Sequence, residues 1–143
     1  MNLENIILLE EKRTQILQKI KQIESIYKRI SFFGNKNQLR SQFADFNLHV
    51  LFYISWKEKI IYPKLLSHSD SRILNIAHQL DLNNKHLITQ LTYFYQRSEG
   101  RFQNISEVTY FINFSESLLD FLKKSLHVEA KLFAPFQFIS SLF

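Results

Sequence analysis

The chain is short of the residues on which several kinds of chemistry depend. It contains no cysteine, which excludes disulfides, thiolate metal sites and cysteine nucleophiles. Its two glycines are Gly34 and Gly100, so no glycine-rich phosphate-binding loop is possible. It has just two prolines as well, and this scarcity of turn-forming residues favours long helices.

Long apolar runs are also missing. The apolar stretch from Ile6 to Leu9 is flanked by Glu4 and Glu10 and is far too short for a signal peptide or a membrane span. We therefore expect a cytoplasmic protein with no membrane partner. The length of 143 residues suits one domain, so residues 1–143 are interpreted as a single unit.

Positive charge is in excess but is not concentrated. The chain carries 18 Lys and Arg against 13 Asp and Glu, a net charge of +5. These cations occur as pairs such as Lys12-Arg13 and Lys123-Lys124, without a dense basic run. Scattered lysines favour a solvated surface, and nucleic acid is the less favoured class of partner.

Apolar residues recur every three or four positions in the first half of the chain, as in amphipathic helices of a bundle. The first predicted helix runs from Leu3 to Ile30. The second starts near Asn37 and continues to Pro63. Because proline lacks an N–H and crowds the preceding turn, we expect Pro63 to kink or end this helix.

The same periodicity predicts two more helices in the second half. The third follows a polar connector at residues 67–71 and runs to about Arg97. The fourth starts after Asn104, which forms a capping-box-like pair with Glu107, and is expected to close at Pro135. Four helices with short links predict an all-α, antiparallel up-down-up-down four-helix bundle. The apolar residues 136–143 are expected either to pack over one end of the bundle or to form a contact surface.

Some positions are polar in the predicted apolar seams, which are the sides by which the helices pack on one another. Ser115 is one, and the other five are expected at one end of an up-down-up-down bundle: Arg13, Lys57, Asn84, Ser125 and Glu129. Buried charges are costly unless they are paired. We therefore predict an ion pair between Glu129 and either Lys57 or Arg13. The alternative is that these side chains rotate to the rim and reach water.

No catalytic or metal-binding arrangement is evident among the titratable residues. The five histidines are His49, His68, His78, His86 and His127. No two of them are three or four residues apart, the spacing that places two ligands on one helix face. We therefore predict no metal, no cofactor and no enzymatic activity.

Three segments resemble the hemerythrin-like cation-binding bundles. They are Glu58 to Leu65, the start of a third-helix motif at Asn84-Lys85-His86, and Glu129 to Pro135. That family holds two irons with histidines and carboxylates from all four helices. The resemblance retains His86 and Glu129 as ligands.

Other ligand positions of that family carry unsuitable residues here. The resemblance places Lys12 at the first-helix histidine, Tyr53 and Lys57 at the second-helix pair, and Ser125 at a histidine of the last helix. It therefore implies the bundle fold with a lost or partial metal site.

Most of the chain also resembles the Rsd/AlgQ family of anti-sigma regulators, which are helical bundles. The segments that carry this resemblance are Glu11-Lys12-Arg13, Phe46, Tyr53-Ile54-Ser55, Ile61-Tyr62, Ile76 to Asn83, Leu122, and Leu126 to Phe133. In that family the second-helix segment helps to bind the promoter-recognition domain of the primary sigma factor. The resemblance thus implies a protein partner, the C-terminal domain of that sigma factor.

These observations lead to two hypotheses of function. The first is a non-enzymatic transcription regulator that binds the primary sigma factor of RNA polymerase, and the second is a degenerate hemerythrin-like bundle. For the first, we predict a partner-binding face on the second helix formed by Phe52, Ser55 and Lys59. Ser55 and Lys59 lie three and seven positions after Phe52, so the three residues would share one outward stripe of a regular helix.

Overall fold

The computed structural model describes residues 3–27, 36–67, 70–99 and 105–141, and these residues are almost entirely helical. The helices are α1 (Leu3–Tyr27), α2 (Lys36–Trp56), α3 (Tyr62–Leu66), α4 (Ser71–Glu99) and α5 (Ile105–Ser141). A π-helical turn, Lys57–Ile61, joins α2 to α3. The parts of the chain that are described contain no strand, so the all-α fold class predicted from the sequence is confirmed.

Four long helical rods form the bundle, with α2, the π turn and α3 together making the second rod. Each rod packs against two neighbours, in the cyclic order α1, α2, α4, α5. Between α1 and α2, the Lys12 ammonium contacts the ring of Phe52 whereas Lys19 contacts Asp45. Residue numbers therefore rise along α1 as they fall along α2, which is the contact pattern of antiparallel neighbours.

The interior is formed by the apolar residues that the helical periodicity places on one side of each rod. Its middle contains a group of phenylalanines in mutual contact. The ring centroids of Phe43 and Phe94 are 4.9 Å apart with an edge-to-face geometry, and those of Phe94 and Phe111 are 5.6 Å apart and stacked. Such pairs add about 0.5–1.5 kcal/mol each to the free energy gained by burying the rings.

The start of α4 is fixed by an aspartate cap. The backbone N–H of Arg72 donates a hydrogen bond of 2.9 Å to Asp70 Oδ1, and the Leu74 amide donates one of 3.1 Å to the Asp70 carbonyl. An N-cap carboxylate satisfies one of the amides that the first helical turn leaves unpaired. The polar connector predicted from the sequence thus supplies the cap.

The second rod remains helical beyond Pro63, with a π turn just before it. The Tyr62 amide donates to the carbonyl of Lys57, five residues earlier. Because proline has no amide hydrogen and its ring crowds the preceding turn, a wider turn at this point is physically reasonable. The rod therefore does not end at Pro63 but continues to Leu66.

The last helix is longer than predicted. We expected α5 to close at Pro135, and this prediction is wrong because the helix continues to Ser141. A proline removes only one hydrogen bond, so a long helix can continue across it with a local bend. The predicted cap at Asn104 and the predicted end of the first helix at residues 28–30 lie outside the described residues. In the segments that are described, no helix is long and apolar enough to cross a membrane.

Candidate partner-binding face and buried polar cluster

A buried ion pair lies at one end of the bundle, between the second rod and α5. Lys57 Nζ is 2.9 Å from Glu129 Oε1, and the two side chains are 4% and 2% exposed. The second carboxylate oxygen, Oε2, accepts a hydrogen bond of 3.0 Å from the Tyr53 hydroxyl. The ion pair predicted for Glu129 is therefore formed with Lys57.

Two aromatic rings lie beside the ammonium, and an amide is bonded to the hydroxyl of one of them. Lys57 Nζ lies 4.1 Å from the centroid of the Tyr53 ring and 5.8 Å from that of Tyr62. A desolvated cation is attracted by the negative face of such rings. The Tyr62 hydroxyl in turn accepts a hydrogen bond from the Asn84 amide. We name Tyr53, Lys57, Tyr62, Asn84 and Glu129 the polar cluster.

Arg13 and Ser125 lie at the margin of the polar cluster. Arg13 is 8% exposed. Its positive charge adds to the lowering of the Lys57 pKa by burial and partly counteracts the rise that burial causes in the pKa of Tyr53. Its Nε and Nη2 atoms are buried without a hydrogen-bond partner among the described residues. Ser125 is half-buried and lines a small cavity beside Lys57, Asn84 and Glu129. Ser115, the polar seam residue expected elsewhere, is fully buried, and its hydroxyl donates to the Phe111 carbonyl at 2.7 Å.

Burial shifts the protonation equilibria of the cluster. It raises the pKa of Tyr53 well above its usual value, and the Glu129 carboxylate raises it further. Burial also raises the pKa of Tyr62, and the Glu129 carboxylate adds a smaller rise. Burial lowers the pKa of Lys57, while the facing Glu129 carboxylate opposes that effect. Burial thus favours neutral tyrosines and penalises the Lys57 charge, which Glu129 offsets.

The cavity beside these groups is small. It is lined by cluster residues and by apolar side chains such as Leu80 and Leu122, and its volume is about 10 Å³, at the lower limit of what one water molecule needs. An organic substrate cannot reach the Lys57 amine without displacing these side chains. The arrangement therefore supports the packing of the rods.

The predicted partner-binding face lies on the outer surface of the bundle, at the same height as the polar cluster. Phe52 is 63% exposed, Lys59 is exposed and Ser55 is half-buried. Lys59 belongs to the π turn, which takes more residues per revolution than an α-helix. Its direction relative to Phe52 is therefore shifted from that of a regular helix, while Leu48, 66% exposed, lies one turn before Phe52.

Lys12 of α1 also belongs to this face. Its ammonium lies 5.2 Å from the centroid of the Phe52 ring and 5.3 Å from that of Trp56. The Trp56 ring stacks on Tyr53, with centroids 6.5 Å apart and an angle of 23°, so the face is in contact with the polar cluster. We name Lys12, Leu48, Phe52, Ser55, Trp56 and Lys59 the α1/α2 face.

Several of these residues were not assigned to the polar cluster or to the α1/α2 face from the sequence. The signal for Tyr53 and Tyr62 was present, because a seam tyrosine must place its hydroxyl against a polar partner. The contribution of Lys12 required the relative register of α1 and α2, which sequence periodicity does not give. Leu48 was recognisable as the residue four positions before Phe52.

Comparison with known proteins adds no family to this geometry. No protein-family model matches the chain, and no curated protein or solved structure matches it. Within the described ranges, no three His, Cys, Asp or Glu side chains come together in a group that could hold a metal ion. Glu129 and His86, the two ligands retained in the hemerythrin resemblance, have Lys57 and the Phe121 ring as neighbours.

Proposed function

We propose that the chain is a non-enzymatic transcription regulator that binds a protein partner through the α1/α2 face. The observation that carries this proposal is Phe52, a large aromatic side chain that is 63% exposed on a rod whose opposite side is fixed in the core. Exposed aromatic side chains on a rigid helix commonly anchor protein interfaces. Phe52 is pre-positioned by the Lys12 ammonium beside its ring, so little side-chain entropy is lost on binding.

The partner that we propose is the C-terminal domain of the primary sigma factor. The support is the resemblance to the Rsd/AlgQ family in the second helix, at Tyr53-Ile54-Ser55 and Ile61-Tyr62. Four of these five residues are buried. They hold the rod in place, while the partner contacts are assigned to Phe52, Ser55 and Lys59.

The charges of the α1/α2 face constrain how the partner is bound. Lys12 and Lys59 contribute two positive charges, whereas the Asp45 carboxylate nearby is already paired with Lys19. A cationic face favours an acidic surface on the partner, because like charges slow association and lower specificity. Binding is thus expected on an acidic part of the sigma domain, away from its basic DNA-binding surface.

Calorimetric titration against the C-terminal domain of the primary sigma factor from the same organism tests the proposal. We expect saturable one-to-one binding with a Kd of about 1 μM or tighter, or about −8 kcal/mol. Phe52→Ala and Lys59→Glu should each weaken binding about ten-fold or more, which corresponds to about 1.4 kcal/mol. Leu82→Ala and Lys124→Glu are matched controls on exposed sites of α4 and α5 and should leave the Kd unchanged.

The proposal fails if no heat is detected at two temperatures, the second being needed because a single temperature can coincide with zero enthalpy. It also fails in its choice of surface if the control variants weaken binding as much as Phe52→Ala. Unchanged affinity in both face variants, with normal binding by the parent, would place the interface elsewhere on the bundle.

One observation favours the second candidate, a degenerate hemerythrin-like bundle. The carboxylate that the resemblance retains as a ligand, Glu129, contacts the Lys57 ammonium at 2.9 Å. A lysine charge thus occupies the place where such a bundle would hold a cation. Elemental analysis of freshly purified protein tests whether such a bundle keeps a partial site, since near-stoichiometric iron or another transition metal would show that a metal is held in spite of the Lys57 charge.

A further inference from the structure

A small pocket opens on the α1/α2 face, in the groove between the two helices. Two buried side chains form its floor, Ile16 of α1 and Tyr53 of α2. The four residues of its rim are exposed or half-buried: Lys12, Gln15, His49 and Phe52. It is distinct from the cavity in the polar cluster, with which it shares only Tyr53. We name it the Lys12 pocket.

The Lys12 pocket has room for one small polar group. Its volume is about 30 Å³, and a single water molecule needs about 10–15 Å³ by the same measure. Two water-sized atoms therefore fit, which is the number of oxygens that a carboxylate carries. A phosphate group, with its four oxygens, is too large for this volume.

The Lys12 ammonium gives the pocket a positive charge that no carboxylate of the described residues neutralises. Among those residues, Lys12 takes part in no ion pair. Asp45, the carboxylate that contacts His49, is held by the Lys19 ammonium. Glu11 is exposed and lies about 100° further round α1 than Lys12. The electrostatic complement of the pocket is therefore a group with one negative charge.

The Lys12 ammonium is held at the pocket by aromatic rings. It lies 5.2 Å from the centroid of the Phe52 ring and 5.3 Å from that of Trp56. The Trp56 ring stacks on Tyr53, whose hydroxyl donates to the Glu129 carboxylate in the polar cluster. A lysine that is already ordered loses less conformational entropy when it binds an anion, and its apolar surroundings strengthen the attraction.

Gln15 and His49 complete the rim. Gln15 lies three positions after Lys12, on the same side of α1, and its amide carries two N–H donors that suit a second carboxylate oxygen. His49 Nδ1 is 2.8 Å from the carbonyl oxygen of Asp45. Because a carbonyl oxygen can only accept, Nδ1 donates this hydrogen bond and the ring is fixed to its own helix as one wall of the pocket.

We propose that the Lys12 pocket receives the side-chain carboxylate of an aspartate or glutamate on the protein partner, with Lys12 as its countercharge and Gln15 as a hydrogen-bond donor. This inference rests on the proposed function and makes it more specific, since it names the group that the partner presents beside the residues contacting Phe52. The carboxylate is then the polar anchor of the interface and Phe52 is the apolar anchor.

Titration with a small carboxylate tests the pocket without any partner. The probe is propionate, which has the shape of the end of a glutamate side chain, and propionamide is the uncharged control of the same shape. In ¹H–¹⁵N correlation spectra of the full chain, propionate should cause saturable shift changes confined to the amides at the pocket, with a Kd in the millimolar range. Propionamide should leave these signals unchanged.

Substitution of the lysine identifies the group that binds the probe. Lys12→Met should abolish propionate binding, while Lys12→Arg should retain it because the charge is kept. Lys21→Met is the matched control, since it removes the same charge from an exposed site of α1, and it should bind propionate like the parent. Circular dichroism should show the same helix content in every variant.

Three results of the probe titration would overturn the inference. The first is the absence of shift changes at the pocket with propionate. The second is equal shift changes with propionamide, which would show that charge is not recognised. The third is tighter binding of inorganic phosphate than of propionate, which would make the pocket a phosphate site.

Calorimetry with the C-terminal domain of the sigma factor tests whether the partner uses the pocket. Lys12→Met should raise the Kd at least ten-fold, and Lys21→Met should leave it unchanged. The acidic residues of the sigma domain are changed to amides one at a time. One of these variants should lose as much affinity as Lys12→Met causes and lose no more when the two are combined, as expected of a contacting pair.

Failure of the pocket and failure of the proposed function give different results. If the sigma domain binds the parent and Lys12→Met equally well, the function stands and the inference about the pocket is overturned. If the sigma domain does not bind the parent at all, the proposed function is overturned, and the propionate titration decides by itself whether the pocket recognises a carboxylate.

Discussion

Lys57 of the π turn and Glu129 of α5 form an ion pair in which Nζ lies 2.9 Å from Oε1 and both side chains are at most 4% exposed. Removing two charges from water is expensive, and only close pairing with further hydrogen bonds compensates for it. Here the Tyr53 hydroxyl supplies a hydrogen bond to the carboxylate. The second rod and α5 are thereby fixed at one relative height, since a slip by one turn would separate the charges.

Breaking this pair by either single substitution should destabilise the bundle. Glu129→Gln leaves the buried Lys57 ammonium without a countercharge, and Lys57→Met leaves the carboxylate with only its Tyr53 donor. We expect each to lower the free energy of unfolding by about 3–5 kcal/mol. The double variant should recover most of that loss, because the Lys57 ammonium and the Glu129 carboxylate are then both absent and neither leaves the other without a countercharge. Urea denaturation followed by circular dichroism measures all three.

The exposed pair of Lys124 with Asp120 is the matched control for this cycle. Lys124→Met should change the free energy of unfolding by less than about 1 kcal/mol. Additive losses in the Lys57 and Glu129 double variant would show that the two side chains contribute independently and that the ion pair has no coupling energy.

Replacement of Arg13 should not lower the free energy of unfolding, unlike replacement of Lys57. The buried Nε and Nη2 atoms of Arg13 find no hydrogen-bond partner among the described residues. Its positive charge also repels the Lys57 ammonium, which has the same sign. Arg13→Met keeps the apolar volume and removes both costs. We expect stability to be unchanged or to rise by about 1 kcal/mol, as measured by thermal and urea unfolding. A loss above 2 kcal/mol would show that Arg13 has a stabilising partner.

The buried tyrosines should make the bundle sensitive to alkaline pH. The pKa values of Tyr53 and Tyr62 are raised above the ordinary value of 10.0, so the unfolded chain loses these protons first. Their contribution is complete below pH 10 and falls as the pH rises above it. Lys57, with its lowered pKa, works in the opposite direction, since stability from that group rises as the pH approaches its ordinary value of 10.5.

Tyr62→Phe isolates the tyrosine contribution. It removes one of the hydroxyls that titrate, so the loss of unfolding free energy between pH 9 and pH 11 should be smaller than in the parent chain. Equal alkaline losses in the parent and in Tyr62→Phe would contradict the assignment. The measurement is urea denaturation at each pH.

Substitution of two phenylalanines distinguishes a residue of the core from a residue of the partner-binding face. Phe94 is fully buried and packs on the rings of Phe43 and Phe111, so Phe94→Ala should lower the free energy of unfolding by about 3–5 kcal/mol. Phe52 is 63% exposed, and Phe52→Ala should cost less than about 1 kcal/mol. Differential scanning calorimetry gives both values. A large loss in Phe52→Ala would mean that this residue serves stability and not binding.

The bundle could be predicted from the sequence because its core depends on helical periodicity. The apolar seam fixed the inner side of each rod, and polar exceptions such as Lys57 and Glu129 had to meet because isolated buried charges are too costly. The end of the bundle at which they meet followed from the short links between rods, because short links predict an up-down-up-down arrangement. These inferences needed only spacing and the free energy of burying charge.

Features that depend on local backbone geometry could not be predicted in the same way. Pro63 and Pro135 give the same sequence signal, yet a π turn lies before the first, while α5 simply continues beyond the second. Which response occurs depends on how neighbouring rods hold the chain. The position of Lys12 over Phe52 and Trp56 likewise depends on the register between α1 and α2.

The π turn also gives the second rod a tolerance to deletion that the regular helices of the described residues do not have. A π turn holds one residue more than the α-helical turn it replaces, so removing an exposed residue such as Ile60 converts it to regular helix without unwinding either end. Deletion of a residue in the middle of α4 would instead rotate every following side chain by about 100°. The segment between Lys57 and Pro63 is therefore a place where one rod of this bundle can lose a residue while its core contacts persist.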